Sequence, residues 1–256
     1  MTTALDVLKF IETIAPKDLK MDWDNVGLLC GRGDKAVKTV LVALDPFTHV
    51  CEEAANMGAD LLVTHHPLIF QPVSSITPET TVGCAIMKLM GSDITAINAH
   101  TNLDCAAGGV NDTLAEILGL QGIQKIDADP DGLLRQGEVA PLPLCDFLLR
   151  VKQTLSCSGV RFTDGGRPVH KVAVGGGACG SALHDVINAG CDTFVTADVK
   201  YNQFCDAKEL GINLIDAGHF ATENPVVSRL AARIQAAFPE ISVHISQNHS
   251  DCIKFF

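Results

Sequence analysis

The feature that most constrains this chain is that it matches itself. Residues of the first half line up without a gap on residues of the second at an offset of 132. Val40-Leu41-Val42 falls on Val172-Ala173-Val174, Gly58 on Gly190, Asp60 on Asp192, and Val63-Thr64 on Val195-Thr196. One element later, after a 13-residue adjustment, Ala99-His100-x-x-x-Asp104 falls on Gly218-His219-x-x-x-Glu223. Two generic βαβ units can coincide, because each needs an apolar strand, a helix and a glycine stop. The matched His-x-x-x-acid at corresponding strand ends favours duplication, which predicts two similar halves facing each other across a shared site.

Each half alternates strands with helices, which predicts an α/β layer architecture with mostly parallel sheets. Thr3 and Asp6 make a capping box that opens a helix stopped by Pro16. Strands are expected at 39–45, 60–64 and 94–99, with helices at 81–90, at 109–118 and up to the C-cap Gly58. In the second half the pattern predicts helices at 143–155, 181–189, 202–210 and 225–237. Strands are expected there at 159–163, 171–174, 192–196, 212–216 and 241–246. Residues 119–140 are weakly periodic and rich in Gly, Asp, Pro and Gln, and read as a junction. The domains are therefore expected at 1–125 and 126–256, with the C-terminal segment free to pack back on the first half.

Composition narrows the function. At 256 residues, 47% hydrophobic and 19% charged, the chain is globular and long enough to bury a full core. No apolar run approaches the roughly 18 residues that a membrane span needs. The amphipathic N-terminus lacks the basic region of a signal peptide, so a cytoplasmic location is expected. A net charge of −11 with no basic run disfavours nucleic acid, though a local positive pocket for a phosphorylated small molecule stays open. The ten cysteines form no Cys-x-x-Cys pair, and most lie in apolar runs, where thiols act as small hydrophobes.

His65, His66, His100 and His219 each fall just past an expected strand end, where open α/β sheets collect ligands. Adjacent residues of a regular strand point to opposite faces, but before Pro67 the pleat ends and both His65 and His66 can turn inward. His219 and Glu223 share a face if the chain is helical there, and the Glu223 carboxylate has two oxygens with which to bridge two cations. With Asp104, the set mixes imidazole and carboxylate without thiolate. It suits two divalent ions, Zn, Fe or Mn, with open positions for water. His49, His170, His184, His244 and His249 read as structural or solvated.

Three signals are weaker. Gly175-Gly176-Gly177-Ala178-Cys179-Gly180 is a literal G-x-G-x-x-G followed by Asp198, which fits a dinucleotide site, a phosphate cradle or simply a tight strand-to-helix turn. Lys200 either holds an anionic substrate or sits on an ordinary loop. The loop of Trp23, the sole tryptophan, either closes over the site or anchors the N-terminal helix.

Together, WDNVGL at 23–28, THHPLIF at 64–70, AHTNLD at 99–104, TADVKYN at 196–202 and AGHFATE at 217–223 resemble the dinuclear metal-centre family labelled GTP cyclohydrolase I type 2-like, or NIF-three-like. The resemblance runs over nearly the whole chain. It implies two similar α/β domains with a two-metal site between them, and a homohexameric ring built from dimers. It carries the ligand roles to His65, His66, Asp104, His219 and Glu223, with Glu223 as bridge, and places His100 beside the metals, as a ligand or just behind one. In a hydrolase His100 is the candidate general base or acid. The chain departs from the family at Asn202, where relatives tend to carry a histidine, and at 119–140, too short for the domain that many relatives insert. The reaction implied is hydrolytic opening of a nucleotide or related heterocycle. The alternative is a non-catalytic metal-binding or partner-binding assembly protein.

Overall fold

The computed structural model describes residues 1–256 as two compact units. The first comprises Met1–Ala106 and Val226–Ser250, the second Ala107–Pro225 and Asp251–Phe256. The sequence pattern put the division at 125/126, but it falls before α5 (Val110–Ile117). Leu114, Ala115 and Leu118 of that helix bury themselves among Val172, Val174 and Val195 of the second unit.

In the first unit, α1 (Ala4–Ile14) is opened by the expected capping box: Asp6 N donates to Thr3 Oγ1 at 3.2 Å, and Thr3 N donates to the Asp6 carboxylate at 2.9 Å. There follow β1 (Gly27–Cys30), β2 (Thr39–Ala43), α2 (Thr48–Asn56), β3 (Leu61–Thr64), α3 (Thr81–Gly91), β4 (Thr95–Asn98) and the short α4 (Thr101–Cys105). Much later the chain supplies α10 (Pro225–Ala237) and β11 (Ser242–Ile245) to the same unit. The five strands lie in the order β1-β4-β3-β2-β11, parallel except for β1, which runs antiparallel to β4. Leu41, Ala43, Leu62 and Ala96 pack against α2 and α3, while the intervening Val40, Val42, Leu61 and Val63 are buried as well. Burial on both faces explains the near-continuous apolar runs.

The second unit carries β5 (Gln121–Lys125), β6 (Arg135–Leu142), α6 (Leu144–Thr154), β7 (Arg161–Thr163), β8 (Val169–Val174), α7 (Leu183–Asn188), β9 (Thr193–Thr196), α8 (Tyr201–Leu210), β10 (Asn213–Asp216) and α9 (His219–Glu223). The six strands run β5-β6-β8-β9-β10-β7, a parallel centre of β8, β9 and β10 flanked by antiparallel strands. Alternation is clean: Val172, Val174, Val195 and Ile215 face one apolar cluster, and Ala173, Phe194 and Leu214 face the other. The region read as a junction, 119–140, thus holds β5 and most of β6. β5 reads as loop because Gln121, Gly122, Gln124 and Lys125 are all exposed, so an edge strand gives no apolar signal.

The ladders test the self-match directly. Val40 pairs with Leu61 in the first sheet and Val172 with Thr193 in the second, so both strands keep the offset of 132. The next strand pairs Leu61 with Thr95 and Thr193 with Asn213, an offset of 118. His100 and His219 differ by 119, so they stand one residue out of structural register. His100 precedes α4, whereas His219 is the first residue of α9; Gly218, at φ +89°, takes the place that His100 holds. The scaffold repeats, and the two His-x-x-x-acid segments are differently set upon it.

Candidate metal centre

In the first unit the sheet order lines up the site. The loop before β1, the exits of β4, β3 and β2, and the exit of β11 all open on one rim, because β1 runs against its neighbours with Gly27 opposite Asn98. Along that rim stand Asp24, His100, the pair His65 and His66, Asp45, and His249. The β3 exit turns sharply. His66 N donates to Leu44 O at 2.9 Å and Thr64 Oγ1 donates to His66 O at 2.7 Å, so both imidazoles leave the pleat on the same side.

The three rings of this rim are close, with centroids 4.9 Å apart for His65–His66, 5.2 Å for His65–His100 and 5.4 Å for His66–His100. One ligand atom from each lies within 4.8 Å of the others. Asp104, buried on α4, brings Oδ1 to 3.5 Å from His65 Nε2.

Each ring is held from behind at Nδ1: His65 by Ala99 O at 2.9 Å, His66 by Asp45 Oδ1 at 2.6 Å and His100 by Asp24 Oδ1 at 2.8 Å. An oxygen partner at Nδ1 fixes the ring's orientation and turns Nε2 toward the rim, the arrangement that metal-ligating imidazoles usually have. The holders are themselves fixed. Burial resists ionisation of Asp24, but bonds from His100 and Thr101 outweigh it and hold the carboxyl well below the usual range. Burial likewise opposes Asp45, and bonds from His249 and His66 override it in the same direction.

His249 reads from sequence as structural or solvated, yet its Nε2 lies 2.8 Å from Asp45 Oδ2. Asp45 N is 3.2 Å from the same nitrogen, but the shorter, charge-assisted contact decides that Nε2 carries the proton. The Glu53 carboxylate pins the segment that delivers His249, accepting from Ser246 Oγ, from Gln247 N at 2.8 Å and from Asn248 N at 3.3 Å. An open cavity of about 350 Å³ beside His66 is lined by Asp45, Phe47, His49 and Leu68 among others.

The second unit brings His219 and Glu223 together on one turn of α9, with Nε2 to Oε2 3.1 Å apart. His219 Nδ1 is held at 2.7 Å by Asp198, which stands at the β9 exit with φ +51°. The glycine-rich turn serves the buried Glu223. A Cβ on Gly177, at φ +65°, would lie 2.2 Å from Glu223 Oε1, and one on Gly176 would meet Glu223 Cγ at 3.2 Å. The turn's amides are spent as well: Gly176 N donates to Asn111 Oδ1 at 2.6 Å and Gly177 N to Thr222 Oγ1 at 3.1 Å. Those amides are what a dinucleotide pyrophosphate would need, so the glycines are a carboxylate cradle. Lys200 sits at the N-cap of α8 with an exposed side chain, next to exposed Tyr201 and Asn202.

The donor chemistry fits a divalent cation in both units. His65 Nε2 faces Asp104 Oδ1 at 3.5 Å and His219 Nε2 faces Glu223 Oε2 at 3.1 Å. Each is a nitrogen-and-oxygen pair of the kind that Zn, Fe or Mn takes as ligands. Sequence reading named His65, His66, Asp104, His219 and Glu223 as ligands and His100 beside them, but did not identify Asp24, Asp45, Asp198 and His249 as the groups that hold these rings. Asp24 and Asp198 stood within quoted segments, and a carboxylate beside each histidine was the signal to seek.

The comparisons agree with this architecture. The family described as Duf34/NIF3 (NGG1p interacting factor 3) matches residues 2–252, and the chain belongs to that family. A relative from Clostridium perfringens named GTP cyclohydrolase 1 type 2 homolog is 35% identical, with 98% of each chain covered. Among solved structures, a Bacillus cereus protein related to NIF3 superposes with a TM-score of 0.94 at 26% identity, over 100% of this chain and 99% of that one. A hypothetical protein from Staphylococcus aureus gives 0.93 at 29% identity, over 99% of each. No helix is long and apolar enough to cross a membrane.

Proposed function

We propose that this chain is a dinuclear metal-dependent hydrolase acting on a nucleotide or related heterocycle, in the manner of a GTP cyclohydrolase. In this reading His65, His66, Asp104, His219 and Glu223 would hold two divalent cations (Zn, Fe or Mn). One observation carries it: the imidazoles of His65, His66 and His219 are each held through Nδ1 by a fixed oxygen, while His65 Nε2 and His219 Nε2 face the carboxylates of Asp104 and Glu223 at 3.5 and 3.1 Å. A histidine serving only the core has no need of that pattern. The names of the curated relatives support the reaction class.

The cations would supply Lewis acidity, lowering the pKa of a water toward neutrality and neutralising charge on the substrate oxygen. His100 is the proton carrier. Its Nε2 takes a proton from the attacking water and returns it to the leaving ring nitrogen, while the Asp24 carboxylate stabilises the imidazolium formed in between. General acid–base catalysis of this kind is worth roughly 10²–10⁴-fold, so His100→Ala should cost that much in kcat with metal content unchanged.

The test is elemental analysis of the native protein and of the His66→Ala and Glu223→Ala variants, then assay of the metallated protein on nucleotides including GTP. About two ions per chain, lost in the variants, with turnover of a nucleotide, is the expected result. Metal without turnover would move the reading to a non-catalytic binding role. The same reading includes a cytoplasmic hexameric ring of dimers, which light scattering on a sizing column tests.

A further inference from the structure

Trp23 neither closes over the rim nor anchors the N-terminal helix. Its ring is 63% exposed, although its neighbours Asp24 and Val26 are buried. It stands 5.8 Å from the ring of Phe70, itself 45% exposed, and 6.3 Å from that of His100; Phe70 and His100 are 6.1 Å apart. All three meet edge to face, at 74° to 84°, so no ring lies parallel against the indole.

The backbone beneath is tightly held. Met21 N donates to Thr101 Oγ1 at 3.0 Å, Asn25 Nδ2 to Ile69 O at 2.6 Å and Asn98 Nδ2 to Asn25 O at 3.2 Å. Thr101 N donates to Asp24 Oδ2 at 3.1 Å. Asn25 ties the Trp23 loop to the residue before Phe70, and Asp24 ties it to His100 and Thr101. Single exposed apolar residues are ordinary. A fixed pair of aromatic rings in contact with the candidate proton carrier is a different matter: the loop spends its bonds on presenting the indole to solvent beside His100.

We propose that Trp23 and Phe70 form a stacking platform for a planar heteroaromatic ring, holding it with an edge toward His100 Nε2. This names the substrate class of the site proposed above, and it rests on that reading for what becomes of the bound ring. Stacking suits the place. A π-face is held by stacking whatever charge the rest of the bound molecule carries. The ring can belong to a free base or to a nucleoside, which share that face.

The single tryptophan makes the test direct. Fluorescence of the intact protein is titrated with guanine, guanosine and ribose 5-phosphate, and the metal content of the same preparation is measured. Saturable quenching by the base and the nucleoside, and none by the sugar phosphate, is expected; base against nucleoside then separates the two sources. Calorimetric titration of Trp23→Ala should show affinity reduced by about 5- to 150-fold, the worth of one stacked base. Trp23→Phe should keep most of it. Absence of saturable quenching, or undiminished affinity in Trp23→Ala, overturns the platform. Metal binding without ring binding sinks the platform and spares the hydrolase reading. Ring binding by a protein that takes no divalent metal does the reverse.

Discussion

The rims of the two units occupy the same places on a repeated scaffold and are furnished in opposite ways. Asp45 follows β2 and holds His66, which follows β3. At the offset of 132 stand Gly177 and Asp198. The position that carries an imidazole in the first unit carries the carboxylate holder of His219 in the second. The position that carries the holder in the first unit is stripped to glycine in the second, making room for Glu223. A duplicated sheet therefore conserves where chemistry can be placed, not which residue does it. Ladder hydrogen bonds fix the strand exits, and the side chains beyond them are free to exchange roles.

The largest expected effect comes from the stripped position. Gly177→Ala should lose about 1–3 kcal/mol to its left-handed backbone alone, and more as its methyl displaces Glu223. Gly58→Ala is the control, with φ +69° and nothing within 4 Å of the added carbon. Urea unfolding should show the Gly177 variant clearly the weaker; equal losses would mean that Glu223 does not depend on the cradle.

Next come the holders, which differ in burial. The side chain of His249 is 4% exposed and that of Asp198 50%. His249→Ala should cost about 1–3 kcal/mol because it takes a donor from the half-buried Asp45 carboxylate and empties a buried position. Asp198→Asn should cost less than about 1 kcal/mol, as exposed pairs do. Both should weaken metal binding by roughly 10- to 100-fold, the usual cost of losing an outer partner. Competition with a chelator measures it, and an unchanged affinity in either variant would detach that holder from the site.

The smallest effect is a slope. Glu53, partly exposed, is resisted by burial but held below its usual pKa by bonds from Ser246, Gln247 and Asn248. A depressed carboxyl stabilises the fold above its unfolded pKa, about 4.5, and loses that contribution as pH falls through the folded value. Wild-type stability should therefore drop below about pH 4.5 more steeply than that of Glu53→Gln. The second unit has no β11 strap to pin, so a matching acid response in its unfolding would break the contrast.

Periodicity located nearly every parallel strand and long helix, because those segments bury both faces or one clear stripe. It missed the antiparallel β1 and β6, the edge strand β5, whose side chains are mostly exposed, and the five-residue α4 and α9, too short to show a period. The candidate residues His65, His66, His100, Asp104, His219 and Glu223 could be singled out because histidines and carboxylates stood at or just beyond strand exits. Their holders could not, since Asp45 and His249 meet only through strand order, and strand order is a tertiary fact. The one-residue slip between His100 and His219 was hidden for the same reason: letters align where hydrogen-bond ladders do not.

β11 carries a consequence for how the chain comes into being. Asp45 and His249 are 204 residues apart. During synthesis, domains form from the N-terminus onward as the chain emerges at about 5–20 residues per second. The second unit can assemble while the first still lacks α10, its fifth strand and the clamp on His66. The N-terminal unit is thus begun first yet waits for residues 226–250, and its rim acquires its final imidazole support only after the body of the second unit has been made.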